Sequence, residues 1–209
     1  DHQHILATYH KAGKDQAAQA IHIAMETWEI WSNTSLSDRV KIFRKAAELL
    51  QGPWRDTINA ATMLNQSKNV YQAEIDSACE LIDFFNFNSE FAENIYNNQP
   101  LISPEGTKNH LEYRALEGFI FAITPFNFTS IAGNLPTAPA LMGNSVLWKP
   151  SPAAALASWF ILKILREAGL PDGVINLLNG EANEIADTTL SNPHLAGVHF
   201  TGSTKTFEK

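Results

Sequence analysis

The chain is poor in the features that mark several large classes of protein. One cysteine, Cys79, among 209 residues excludes an intramolecular disulfide and removes the signature of a small secreted scaffold. A reducing compartment is the default expectation. Positive charge is scarce: Lys and Arg total 15 against 22 Asp and Glu, a formal charge of -7. That balance disfavours a nucleic-acid backbone or an anionic membrane as the main partner and leaves small neutral or acidic metabolites open. No apolar run is long enough to span a bilayer; "PAAALASWFILKIL" contains Lys163, is followed by Arg166, and reads as a core helix. The first residues, "DHQHILATYHKAGKDQ", lack the charged-then-apolar pattern of a signal peptide and begin abruptly, as if upstream sequence had been cut away. His2 and His4 stand close together without other ligands, so no metal site is expected. No G-x-G-x-x-G occurs, and "AGKD" at Ala12 lacks both the upstream glycine and the Ser or Thr of a P-loop.

What is present suits one sizeable α/β domain, or one with a helical attachment: 44% of residues are hydrophobic, enough for a buried core. Apolar residues recur at helical spacing in Ala17, Ala20, Ile21, Ala24 and Met25, and again, after "SNTSLSD", in Val40, Phe43, Ala46 and Leu50. Two helices are predicted, the second capped by Ser37 or Asp38. A further helical region starts near Trp54, breaks around residues 65–68, and resumes as one long amphipathic stretch through Phe84, Phe85, Phe87 and Phe91. Pro100, Pro104 and Gly106 then break the pattern, and "HLEYRA" alternates weakly like a strand. After Gly118 the runs "FIFAIT", "SVLWKP", "VINLLN" and "AGVHFTG" alternate with segments of crossover-helix length. Continuous apolar strands of this kind belong in a parallel sheet covered on both faces.

In such a sheet ligands gather beyond the carboxyl ends of the strands, which selects Thr124 to Asn127, Lys149 and Ser151, Asn179 and Gly180, and Thr201 to Ser203. Lys149 precedes Pro150, so its ammonium should emerge at that edge, either to meet ribose or phosphate or as a solvated strand cap. "FTGST" combines a permissive glycine with hydroxyl and amide donors at a helix start, which suits pyrophosphate but also an ordinary turn. Asn127 sits between Phe126 and Phe128 in a core-like stretch. Its amide either satisfies backbone groups in a tight turn or serves chemistry. Asn127, like Asn33 and Asn65, also heads a glycosylation sequon, a poor explanation in this setting.

"EGFIFAITPFNFTSIAGNLPTAPALMGNSVLWKPS", then "REAGLPDGVINLLNG" and "GVHFTGST", resembles the aldehyde dehydrogenase superfamily. Together with "CELIDFFNFN" upstream and "FTGSTKTF" downstream, these motifs are most similar to the branch that oxidises L-glutamate γ-semialdehyde, the open-chain form of 1-pyrroline-5-carboxylate, in proline catabolism. The resemblance covers essentially the whole chain. It implies NAD bound on a Rossmann-like sheet without the G-x-G-x-x-G turn, with Thr124 and Pro125 along the cofactor. Lys149 would then bind the adenosine ribose, Gly202 and Ser203 would meet the pyrophosphate, and Thr204, Lys205 and Thr206 would continue that loop. Asn127 takes the place whose amide donates to the oxyanion formed when a cysteine thiolate attacks the aldehyde. Phe128 would wall the substrate's aliphatic chain. Glu80 would pair with an amino group, or else stand on a solvated helix face.

The same resemblance places the catalytic cysteine and the base glutamate after "FTGS", beyond Lys209; Cys79 is read as a small core residue, not a nucleophile. Pro152 stands where many relatives carry an acidic ribose acceptor, and "GEAN", with Ala182 and Asn183, replaces a Gly-Pro region. The expected organisation is a helical part over 1–99, an extended excursion over 100–116 that could pair subunits into a homo-oligomer, and a Rossmann-like cofactor-binding part over 117–209. The compartment would be the cytoplasm in a bacterium or the mitochondrial matrix in a eukaryote. Another aldehyde dehydrogenase activity, or a nucleotide-binding module without turnover, are the alternatives.

Overall fold

Strands this apolar need cover on both sides, and the fold supplies it. A computed structural model of the chain describes residues 3–208; His2 lies outside the described residues, and His4 is exposed. Strands β1 (Phe119–Thr124), β2 (Ser145–Pro150), β3 (Ile175–Leu177) and β4 (Leu195–Phe200) form one parallel sheet in the order β3-β2-β1-β4. Alternation along the strands divides their side chains between two cores. Phe119, Phe121 and Leu147 pack with Ala17, Ala20, Ile21 and Ala24 of α1 (Lys14–Trp31) and with Ile185 of α8 (Ala182–Leu190). Ile120, Ala122, Val146 and Trp148 face the opposite side, beneath α6 (Thr129–Leu141) and α7 (Ala155–Glu167).

The upstream helices share these cores. Phe43 of α2 (Leu36–Gln51), Ile58 of α3 (Arg55–Gln66) and Phe85 of α5 (Leu81–Asn97) belong to the same cluster as Trp148 and Leu165. Gly118 makes the entry into β1 possible. It adopts φ +121°, and a Cβ there would lie 2.1 Å from the carbonyl oxygen of His194. At the other end of a crossover, Gly169 takes φ +101° just after α7, the left-handed cap expected before Pro171.

Three details depart from the sequence reading, and the segment after α5 is described with them. The cap of α2 is Ser35, whose hydroxyl accepts from the Asp38 N–H at 3.2 Å; the helix starts earlier, at Leu36, so Ser37 and Asp38 fall inside its first turn. The amphipathic stretch after residue 69 is not one uniform helix. A short α4 (Val70–Ala73) passes into a π-helical segment, Glu74–Glu80, before α5 begins. Residues 98–118 contain neither helix nor strand. The Gln99 side chain takes the backbone of Leu111 in both directions, at 2.9 and 3.1 Å, in the place of a partner strand. Cys79 is half-buried and not a core residue. Its thiol lies 3.7 Å from both Arg55 and Glu74. The Arg55 guanidinium, with Asn59, holds the Glu74 carboxyl below its ordinary range.

Candidate active site

The register sets three strand ends side by side: Ile123 pairs with Lys149 of β2 and with Phe200 of β4. Hydrogen bonds then lock the connections that leave them, from the Ser151 N–H to the Thr124 carbonyl (3.1 Å) and from the Thr201 N–H to that of Ile123 (3.1 Å). Thr124 is 3% exposed and its hydroxyl accepts from the buried Trp148 indole N–H at 2.9 Å. That hydroxyl is therefore held within the sheet end. Pro125 follows half-buried, and Phe126, Asn127 and Phe128 stand exposed on the turn.

Asn127 does not stabilise its own turn. Among the described residues its side-chain amide makes no hydrogen bond, and the backbone donors at the start of α6 are satisfied from elsewhere: Asp76 accepts from the N–H groups of Thr129 (3.0 Å) and Ser130 (3.1 Å). The turn-satisfying reading of Asn127 is thereby replaced, because a distant carboxylate already performs that task. The Asn127 carbonyl oxygen is also taken, accepting from Lys68 Nζ at 2.6 Å. The side-chain amide remains unengaged.

Lys149 is not a solvated strand cap. It is 7% exposed, its ammonium makes no hydrogen bond or ion pair among the described residues, and burial lowers its pKa, opposed by the charge of Glu181. A desolvated ammonium without partners is costly, so this donor suits a ligand bearing hydroxyls or negative charge. Glu181, which pairs with Lys11 at 2.8 Å, is the acidic group whose charge acts on Lys149. Asn179 adds a buried side-chain oxygen with no partner. After β4, Gly202 through Thr206 are exposed. Ser203 caps α9 (Thr204–Phe207), accepting from the Thr206 N–H at 3.2 Å. Its hydroxyl is thus occupied locally.

Glu80 joins the Asn127 side of the site. It is half-buried, neither a free surface group nor a core one, and meets the Ser130 hydroxyl at 2.8 Å, which also reaches Asp76 at 2.8 Å. Asp76 is neutralised by Lys68 at 2.7 Å; Glu80 has no cationic partner among the described residues. Phe128 is 41% exposed and lies beneath Lys68 Nζ, 4.6 Å from its ring centroid. Lys68, Asp76 and Glu181 were not candidates from the sequence. Helical periodicity marks faces, and it carries no signal for a contact with a loop more than fifty residues downstream. Among the described residues no cluster of three metal-ligating side chains occurs, and no helix is long and apolar enough to cross a membrane.

A parallel sheet with an unengaged amide after β1, a buried lysine at the end of β2 and a Gly-Ser turn after β4 defines a Rossmann-like nucleotide-site architecture. The chain belongs to the aldehyde dehydrogenase family, whose model matches residues 1–209. Within it, the chain is similar to named pyrroline-carboxylate dehydrogenases. It is 50% identical over 202 residues to the mitochondrial delta-1-pyrroline-5-carboxylate dehydrogenase of Emericella nidulans, covering 97% of this chain and 35% of that protein. To the mitochondrial human protein of that name it is 49% identical over 208 residues, covering 100% and 37%. The crystal structure of the Mycobacterium tuberculosis delta-pyrroline-5-carboxylate dehydrogenase bound with NAD superposes with a TM-score of 0.93 at 56% identity, covering 95% of this chain and 37% of that one. The chain therefore spans little more than a third of the length of the relatives it matches.

Proposed function

We propose that these residues form the cofactor-binding and oxyanion-stabilising part of an NAD-dependent dehydrogenase that oxidises L-glutamate γ-semialdehyde to L-glutamate. The observation that carries the reading is the Asn127 side-chain amide, unengaged on a turn whose carbonyl at 127 and N–H groups at 129 and 130 are held by Lys68 and Asp76. A donor in that state needs no reorganisation when negative charge develops on a carbonyl oxygen, which is the condition for efficient electrostatic catalysis. NAD, when bound, supplies the hydride acceptor. The nucleophilic thiolate and the base that activates water would come from outside residues 1–209; Cys79, beside Arg55 and Glu74, is not placed to serve.

The remaining residues divide the task of recognition. Lys149 would donate to the adenosine ribose, with Glu181 as the nearby acceptor. Gly202 and Ser203 would offer backbone amides to the pyrophosphate, Thr204, Lys205 and Thr206 would flank it, and Thr124 and Pro125 would support the cofactor's near edge. Glu80, the carboxylate without a cation, would accept from the substrate's ammonium, a group that simple aliphatic aldehydes lack. Phe128 would cover the carbon chain. Residues 100–116 would contribute to a homo-oligomer, and the enzyme would work in the mitochondrial matrix of a eukaryote or the cytoplasm of a bacterium.

The test is catalytic efficiency of a full-length enzyme carrying these residues, measured on pyrroline-5-carboxylate and on a panel of aliphatic and aromatic aldehydes. Preference for an aldehyde without an amino group would reject the substrate assignment. A second result follows from the buried, unpartnered ammonium. Lys149→Met removes a charged donor, so NAD affinity by calorimetry should fall about 10- to 100-fold, the equivalent of a charge-assisted hydrogen bond. The NAD-free protein should melt no lower than wild type, because an uncompensated charge has left the interior. Unchanged affinity would remove Lys149 from the cofactor site.

A further inference from the structure

The Asn127 turn is built from behind by residues that take no part in the chemistry proposed above. Asp76, 3% exposed on the π-helical segment, accepts from the N–H of Thr129 at 3.0 Å, the N–H of Ser130 at 3.1 Å, the Ser130 hydroxyl at 2.8 Å and Lys68 Nζ at 2.7 Å. The two amides are donors that the first turn of α6 leaves without helical partners. Phe128, at the cap position, has no side-chain acceptor to give them. Lys68 extends the arrangement outward: besides Asp76, its ammonium reaches the Asn127 carbonyl at 2.6 Å and the face of the Phe128 ring at 4.6 Å. A lysine has three N–H bonds, and three neighbours use them. Behind the same turn, Thr62 and Gln66 hold the Thr129 hydroxyl at 2.8 and 2.7 Å.

We propose that Lys68 and Asp76 are positioning residues for the oxyanion donor: they hold the 127–130 turn so that the free Asn127 amide is aimed before substrate arrives, and they fix Phe128 with the same ammonium. The proposal rests on the reading of Asn127 as that donor. Its physical basis is tolerance. A catalytic group must sit within roughly 0.5 Å of its productive position, and a displacement of about 1 Å can cost on the order of 10²-fold in rate. A turn anchored only by its own backbone has little means of holding that margin, whereas one clamped at the carbonyl of Asn127 and at the amides of residues 129 and 130 does.

The experiment uses the full-length enzyme with Lys68→Met, Lys68→Arg and Asp76→Asn, each alone and combined with Asn127→Ala. Steady-state kinetics, NAD titration and thermal melting are measured for each. Lys68→Met should lower kcat about 10- to 100-fold with NAD affinity unchanged, and Lys68→Arg, which keeps charge and donors, should recover much of the rate. In the Asn127→Ala background, Lys68→Met should cost less than about twofold, because it acts through the missing amide. Full kcat in Lys68→Met while Asn127→Ala is slow would overturn the positioning proposal alone. Equal losses in both backgrounds would overturn it as well, as would a loss of rate that tracks lost melting temperature and is not recovered by arginine. If Asn127→Ala itself kept the wild-type rate, the underlying reading would fail and the proposal with it. Should Asp76→Asn not fold, the Lys68 variants, at a side chain 17% exposed, decide the outcome.

Discussion

Replacing Asn127 by alanine in the full-length enzyme is expected to lower kcat by about 10²- to 10³-fold, or about 2.7–4 kcal/mol of transition-state stabilisation, without destabilising the protein. The two halves of that statement have one cause. Because the amide makes no hydrogen bond among the described residues, deleting it leaves no buried group unpartnered, and the fold has nothing to lose. The oxyanion exists only during reaction, so the cost falls on kcat and not on the affinity for NAD. Asn127→Asp should be at least as slow, since a carboxylate offers an acceptor where a donor is needed. Steady-state kinetics with a melting curve for each variant check both parts. A variant that loses several degrees of melting temperature would return Asn127 to a structural role.

The second large effect is on stability. Trp148 is fully buried, its ring lies in the larger core, and its N–H is used by the Thr124 hydroxyl. Trp148→Ala should cost about 3–5 kcal/mol, which for a chain of this size corresponds to a fall in melting temperature of roughly 6–20 °C. Trp148→Phe separates packing from polarity. It retains an aromatic ring and leaves the Thr124 hydroxyl without its donor, with an expected cost of about 1–3 kcal/mol. Thermal or urea denaturation of the chain measures both. A loss under 1 kcal/mol for the alanine variant would mean that the core closes over the gap, against its close packing.

The strands were legible because "FIFAIT" and "SVLWKP" are too apolar to lie anywhere but between two covering layers, and their side chains do divide into two cores. The site was legible in part. Asn127 follows a strand and Lys149 stands at the end of one, and the rule that ligands gather at strand ends selects them without a fold in hand. What stayed hidden was the cause of their condition. Asp76 reads from the sequence as one more acid on an amphipathic helix, and nothing local to it announces two amides of α6. Lys149 reads as a charge that should seek water, and only the fold shows it to be 7% exposed. Residues 98–118 hold neither helix nor strand although "HLEYRA" alternates, and there the Gln99 side chain meets the backbone of Leu111.

The π-helical segment carries a consequence for any protein that aligns with this one. Its hydrogen bonds close over five residues and not four, so it houses a residue more than an α-helix of the same rise. Each α-helical residue turns the chain by about 100°; were Glu74–Glu80 to tighten into ordinary helix by losing one residue, everything before it would swing by that amount relative to α5. Leu81 and Phe85 would stay in the core, while the carboxylate and the ammonium that clasp the Asn127 turn would face elsewhere. The extra residue is a phase adjustment: it lets a single rod keep its apolar stripe against one set of neighbours and turn its charges toward another.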